Sequence, residues 1–263
     1  MSEVAPDGTA YDLTGAADAP CVVLIHGLGL SRALWDPHLV AFKVWRILRY
    51  DLYGHGDSAP APSPATLTLF ADQIATLMDS LGIDQAHIVG FSIGGMINRR
   101  FALDHPDKCL SLAILNSPHD RGTKAQAEVE ERARAVRDQG AFSTFDTALK
   151  RWFTPAYLAT GDGPAQVRAW REIVDPESYA QTAWVLAHGV RELTARPNEI
   201  AVPTLVMTSE NDSGSTPAMA HGIAAEILGA QTIIIPHLQH LGLMEDPDAF
   251  TKPLLQFLGT QAT

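Results

Sequence analysis

Ser92 stands in the run Gly90-Phe91-Ser92-Ile93-Gly94-Gly95, after the apolar stretch His87-Ile88-Val89 and before an amphipathic segment from Met96 to Asp104. A serine at the tip of a strand-to-helix turn presents its hydroxyl well. Its backbone is strained there, and the residues two positions to either side must lack side chains. Gly90 and Gly94 meet that condition. Because the turn feeds a helix, the Ile93 N–H falls at a helix N-terminus, where it can donate to a developing oxyanion. Taken alone the pattern is weak, since an ordinary strand-helix connection accounts for it equally well. A serine hydroxyl is also a poor nucleophile near neutral pH, so the chemistry needs a histidine base and a carboxylate to orient it.

Both residue types occur downstream. The loop Thr208-Ser209-Glu210-Asn211-Asp212-Ser213-Gly214 follows an apolar run ending at Met207, which places its acids at the carboxyl edge of a parallel sheet, where ligand sites of such sheets lie. Glu210 and Asp212 both qualify; Asp212 is favoured because it lies beyond the strand end and before a flexible Ser-Gly, a plain turn carboxylate being the alternative. Further on, Pro236-His237-Leu238-Gln239-His240-Leu241-Gly242 offers two histidines. His240, beside Gly242, has room to swing toward the serine, whereas His237 lies just past a strand and reads as a surface residue. The other candidates are duller: His55 belongs to a Gly-His-Gly turn, His87 starts a strand and His105 precedes a proline. A second oxyanion donor is expected from His26-Gly27-Leu28-Gly29, with the Leu28 N–H paired with that of Ile93 and His26 as a structural hydrogen-bonding side chain.

The elements that must position these residues alternate. Cys21 to Ile25 is a β-branched apolar run of the kind buried on both faces of a parallel sheet, and Trp45 to Asp51 is a second strand. Thr9 to Leu13 reads as an edge strand or half a hairpin, and Leu34 to Ala41 as a brief helix. Ala59-Pro60-Ala61-Pro62-Ser63-Pro64 is surface loop. Between Leu67 and Leu81 the apolar positions Leu67, Phe70, Ile74, Leu77 and Leu81 share one helix face, and Gly82 stops the helix. The elbow strand, its helix and a strand over Leu110 to Leu115 follow. The rhythm then breaks. From Pro118 to Pro197 only helical stretches are predicted (Ala125 to Gln139, Phe142 to Phe153, Trp170 to Val174, Tyr179 to His188), too long to be a structureless connection. Strands resume at Val202 to Met207 and Gln231 to Ile235, with helices over Pro217 to Leu228 and Pro247 to Leu258. The expected organisation is an α/β core of residues 1–117 and 198–263, with a mostly parallel twisted sheet covered by helices on both faces, and a helical cap of residues 118–197.

The chain order Ser92, Asp212, His240, together with His26-Gly27, the turn Asp51-Leu52-Tyr53-Gly54-His55-Gly56-Asp57-Ser58 and the cap inserted before the acid strand, resembles the α/β-hydrolase family over essentially the whole length. Within it, the Ser92 run, Arg151-Trp152-Phe153-Thr154 and Gly214-Ser215-Thr216-Pro217 resemble small capped hydrolases of aromatic and heterocycle degradation, nearest to the 3-oxoadipate enol-lactonase-like branch. Ile93 departs from related sequences, which often carry methionine there. The resemblance implies a cofactor-independent serine hydrolase that forms an acyl-enzyme from a small ester or enol-lactone. Cleavage of a C–C bond in a ring-fission acid, or of an amide, is the alternative on the same fold. A hydrolase-fold receptor or scaffold with negligible turnover is the alternative of another class. The serine disfavours haloalkane dehalogenation, which on this fold resembles chemistry with an aspartate nucleophile.

Composition narrows the partners. A net charge of -11 over 263 residues, without a basic stripe, argues against nucleic acid and anionic membranes. No metal site is indicated: Cys21 and Cys109 sit in or beside apolar runs and read as buried free thiols, consistent with a reducing compartment. The N-terminus lacks a basic start and an apolar signal core, so a cytoplasmic location is expected. The partner is a small-molecule substrate, and the oligomeric state stays open, a homodimer being one option. Within this acidic chain the cap carries Arg121, Arg132, Arg134, Arg137, Arg151, Arg168, Arg171 and Arg191, interleaved with Trp152, Trp170 and Trp184. Arginine binds carboxylates through a planar fork, so a carboxylate-bearing substrate is expected, with Arg151, Trp152 and Trp184 as the first candidates to line its site. Most of the arginines are expected to be solvated or ion-paired instead.

Overall fold

The structure, a computed structural model, describes residues 3–261. Its centre is an eight-stranded sheet of β1 (Glu3–Val4), β2 (Ala10–Thr14), β3 (Cys21–Ile25), β4 (Arg46–Tyr50), β5 (Ala86–Phe91), β6 (Cys109–Leu115), β7 (Thr204–Ser209) and β8 (Gln231–Ile235). The spatial order is β1-β2-β4-β3-β5-β6-β7-β8. β2 pairs antiparallel with β1 and β4, and every other pairing is parallel. Apolar residues succeed one another without alternation in β3, β5 and β7 because both faces of these strands are covered, leaving all their residues buried.

Alternate residues serve opposite layers. Val23, Ile25, Ile88 and Ile114 pack toward α1 (Leu67–Ser80), α2 (Ile93–Asp104) and, further along the sheet, α9 (Pro217–Ala225), through Phe70, Ile74, Met96, Ile97 and Ile223. Val22, Leu24, Val89 and Leu115 pack on the other side. There they meet a 3-10 helix over Arg32–Ala41 and the closing helix α11 (Pro247–Gly259), through Leu34, Trp35, Phe250 and Leu254. The helix expected near Leu34 is therefore of the tighter kind; it contains Pro37, which has no N–H to give to an α-helical ladder.

Six helices separate β6 from β7: α3 (Gly122–Gln139), α4 (Phe145–Trp152), α5 (Pro155–Thr160), α6 (Gly163–Glu172), α7 (Pro176–His188) and α8 (Val190–Thr194). The short α10 (Gly242–Glu245) precedes α11. α3 packs along α7 through its few apolar residues, Val129, Ala133 and Val136, and its remaining faces are charged. The end of α4 is tied to the core: the Leu241 N–H donates to the Trp152 carbonyl over 2.8 Å, and just past the helix the Thr154 N–H donates to the Glu245 side chain at Oε1, also over 2.8 Å.

The turn Asp51 to Ser58 wraps a buried carboxylate. Asp51 receives the Arg32 N–H at 2.7 Å, the Asp57 N–H at 3.0 Å and the Arg32 guanidinium, which also meets Asp12 and Asp57. Gly56 takes a positive φ of 51° here, and a Cβ on it would collide with the carboxylate. His26 locks the neighbouring loop to this turn: its Nδ1–H donates to the Gly27 carbonyl over 2.8 Å, while its Nε2 accepts the Leu52 N–H over 3.0 Å. That pairing fixes the tautomer and makes His26 the structural side chain its position suggested. Among the described residues no helix is long and apolar enough to cross a membrane.

Burial leaves three histidines hard to protonate: it pulls His26 and His38 down to about 4, and His55, also repelled by His26, to about 3. In the unfolded chain such residues titrate near 6.5. Between those values the unfolded state binds more protons than the native one, so stability is full above about pH 6.5 and falls as pH drops toward 4. Each such histidine is expected to cost roughly 3 kcal/mol by pH 4. Denaturant unfolding from pH 7 to pH 4.5 should show this slope, and His38→Gln should flatten it by about a third; an unchanged slope in that variant would exclude His38 as a contributor.

Candidate active site

The register of the central strands brings two loops together. Ile25 of β3 lies opposite Gly90 of β5, so the loop through Gly27 and Leu28 and the turn through Ser92 and Ile93 leave the sheet side by side. Ser92 itself has φ 58° and ψ -116°, a conformation that is costly for any residue with a Cβ. A Cβ at Gly90 would run into the Gly94 carbonyl, and one at Gly94 would lie 2.7 Å from the Ile25 carbonyl oxygen and 2.9 Å from that of His26. The glycines therefore do more than relieve a local clash, because Gly94 lets the turn press against the end of β3. The Ser92 N–H donates to the Leu115 carbonyl at 2.8 Å, which ties the turn to β6.

The three residues read as a reacting set come together from the ends of β5, β7 and β8. Ser92 Oγ lies 3.2 Å from His240 Nε2, and His240 Nδ1 lies 2.6 Å from Asp212 Oδ2. With Nδ1–H donating to the carboxylate, Nε2 is left as the acceptor facing the serine hydroxyl. Asp212 Oδ1 receives the N–H groups of Gly214 and Ser215 at 2.8 and 2.9 Å, and Oδ2 also receives the Asn116 side-chain N–H at 2.9 Å. Burial alone would raise this carboxyl, but attraction to His240 and the hydrogen bonds from His240, Asn116 and Ser215 outweigh it and hold Asp212 below its ordinary value. It stays an anion. Glu210 and His237 go elsewhere: Glu210 accepts the His237 N–H at 2.8 Å, and the His237 side chain is 91 % exposed.

Asn116 escaped the sequence reading. It lies just past β6 with a positive φ of 46°, and its side chain reaches Ser209 and Asp212. Its only sequence signal is an asparagine at a strand end beside the elbow strand. Phe91 lies beside the imidazole of His240 at 5.1 Å between ring centroids, and Trp152 faces the same ring at 6.3 Å.

Above Ser92 and His240 is a cavity of about 130 Å³ between core and cap. Leu28 lines it on the core side; Arg121, Arg132, Arg151, Trp152 and Arg171 line it on the cap side. Ile93 is buried beneath the turn with its N–H in the first turn of α2, where helix donors lack intrahelical partners. Trp184 needs correction. It is 45 % exposed and stacked on His188 at 4.0 Å, one turn along α7, so it turns to solvent and does not wall the cavity. Four other cap arginines behave as solvated helix faces: Arg134 meets Glu130 and Glu131, Arg137 meets Glu177, Arg168 meets Asp146 and Arg191 meets Glu130. Among the described residues no cluster of three His, Cys, Asp or Glu could hold a metal ion. Cys21 and Cys109 are buried free thiols, and burial pushes them up to about 11 and about 12.

A strained serine at a strand-helix turn, a histidine within reach and a buried acid behind it define the α/β-hydrolase class, and the alpha/beta hydrolase fold family matches residues 20–247. The chain belongs to that family and is an α/β-hydrolase enzyme. It is similar to 3-oxoadipate enol-lactonase 2 of Acinetobacter baylyi, 29% identical over 246 residues that cover 91% of this chain and 89% of that one. The (E)-2-((N-methylformamido)methylene)succinate hydrolase of the same organism is 27% identical over 91% of this chain and 90% of its own. The crystal structure of the enol-lactonase from Burkholderia xenovorans LB400 superposes with a TM-score of 0.87 at 31% identity, covering 96% of this chain and 98% of that one.

The close approaches at the elbow are testable without any substrate. Gly90→Ala must displace backbone atoms and is expected to destabilise the protein by about 2 to 4 kcal/mol in chemical denaturation. A Cβ at Gly214 would meet nothing nearer than Asp212 Oδ1 at 3.6 Å, so Gly214→Ala should stay within about 0.5 kcal/mol. Equal effects from the two variants would refute the packing account of Gly90.

Proposed function

We propose that the protein is a serine hydrolase that cleaves a small carboxylate-bearing ester or enol-lactone through an acyl-enzyme, in the catabolism of aromatic or heterocyclic compounds. The observation that carries this reading is the continuous chain from Ser92 Oγ through His240 to the buried Asp212, opening on a cavity lined by arginines. His240 Nε2 takes the Ser92 proton as Oγ bonds to the substrate carbonyl carbon, and the carbonyl π electrons move onto oxygen. The N–H groups of Leu28 and Ile93 face that oxyanion. When it collapses, the carbon–oxygen bond to the leaving group breaks and His240 returns the proton to the departing oxygen. Water, deprotonated by the same imidazole, then releases the acid. Asp212 stabilises the imidazolium in both steps and is itself held by Asn116, so Asn116 acts as a positioning residue.

Two features support the carboxylate. The cavity faces four cap arginines while its one carboxylate, Asp212, is already committed to His240. The named relatives also act, by name, on an oxoadipate enol-lactone and on a substituted succinate. The second of those names favours a rival reading in which the same residues open an amide. Mass analysis of products from paired lactone and N-acyl substrates separates the two.

A fluorophosphonate probe is expected to label Ser92, and Ser92→Ala should lower kcat by at least about 10⁴-fold. Asp212→Asn should cost far more than Glu210→Gln. Label recovered on another residue, or ordinary turnover by the alanine variant, would overturn the proposal.

A further inference from the structure

Arg171 is only 2 % exposed and lines the cavity, yet its Nε and Nη2 have no hydrogen-bond partner among the described residues. Only Nη1 is satisfied, donating to the Ala141 carbonyl at 3.0 Å. The rings of Tyr179, Phe145 and Trp152 stand 4.5, 5.3 and 5.6 Å from its Cζ. Ring faces stabilise the charge, but they offer no acceptor in the guanidinium plane, where the N–H groups point. The sequence supplies no anion either: Arg171 forms no ion pair with a carboxylate among the described residues. A buried cation with two open donors is a costly arrangement that a protein keeps when a ligand completes it.

Nε–H and the adjacent Nη2–H form the side edge of the guanidinium, the edge that receives both oxygens of a carboxylate at once. Gly29 borders that edge: a Cβ there would come closest to Nε and lie 2.8 Å from both Cζ and Nη2, so the space beside the two donors is open only because position 29 has no side chain. The contact also explains why the residue after Leu28 is a glycine with φ 69°, since any side chain there would expel the arginine. Because Gly29 adjoins Leu28, the cation stands beside the loop that faces the oxyanion, about one residue's breadth from it. Both nitrogens are shielded from water, so a ligand reaches them by shifting the surrounding cap side chains.

We propose that the Nε/Nη2 edge of Arg171 is the subsite for a carboxylate of the substrate, a few bonds from the scissile carbonyl. This rests on the hydrolase reading above but assigns recognition to Arg171 rather than to Arg151 or Arg132. Those two also face the cavity but are less deeply buried.

The test compares mono-4-nitrophenyl glutarate with 4-nitrophenyl pentanoate, which share acyl length but differ in the terminal carboxylate. Wild type is expected to prefer the glutarate by about 10- to 100-fold in kcat/KM, expressed in KM, and Arg171→Gln should bring that ratio close to one whatever its effect on the pentanoate. Arg134→Gln, on the outer face of α3, should leave the ratio unchanged. If Arg171→Gln does not fold, Arg171→Lys serves: it keeps the charge but loses the fork, and the ratio should drop at least about threefold. No preference in wild type, or a preference abolished by Arg151→Gln or Arg132→Gln and kept by both Arg171 variants, overturns the assignment. So does an equal loss on both esters, which would make Arg171 a support of the oxyanion loop. Failure to hydrolyse either ester would count against the hydrolase reading instead. Calorimetric binding of glutarate to wild type and to Arg171→Lys then decides the subsite by itself: weaker binding in the variant supports it, and equal binding overturns it.

Discussion

The backbone at Ser92 is held where few side-chain-bearing residues go, and the rest of the site is arranged around that conformation. The cost is met by packing on every side: Gly90 against Gly94, Gly94 against the end of β3, and the Ser92 N–H against β6. Each of these contacts needs the neighbouring strands in their parallel register, because a slip of one residue would exchange the two faces of β5 and carry the serine to the wrong layer. The large two-sided core is therefore also the device that keeps a single dihedral pair unusual.

Charge is distributed by the same logic. The protein is strongly acidic overall, yet its cavity is lined by arginines, and the cap sorts its cations by helix face. Those facing out find Glu or Asp partners on the same helix or on another cap helix, where solvent makes such pairs weak. Of those facing in, Arg121 and Arg171 find backbone carbonyls, and Arg171 aromatic rings as well. In the core the arrangement is reversed, with Asp51 and Asp212 buried but fully engaged by N–H donors, a guanidinium or an imidazole.

Much of this was legible in the residues. Ser92, Asp212 and His240 follow from strand ends and glycine placement, since a parallel sheet sends all its carboxyl-end loops to one side. Asp212 differs from Glu210, and His240 from His237, by only a few residues of loop, and the structure pairs Asp212 with His240. What could not be read depends on contacts between segments far apart in the chain. Asn116 has no motif of its own, and its partner lies 96 residues away. Trp184 and Trp152 are alike as residues in a cap; one turns to solvent and the other to the imidazole because of helix rotation, which spacing alone leaves undetermined. Arg171 is one arginine among nine in the cap, distinguished only when the fold sets it against Gly29 and three rings.

The cap is an insertion in sequence but not a detachable cassette in structure. Its α4 carbonyl at Trp152 holds the N–H of Leu241, the residue directly after His240, and the side chain of Gln239 donates to the Lys150 carbonyl at 3.1 Å. The placement of the imidazole is thus shared between core and insert. Exchanging this segment between family members would carry part of the imidazole's scaffold along with the pocket walls, so chimaeras joined at the strand ends should inherit new reaction rates even on substrates too small to touch the foreign helices.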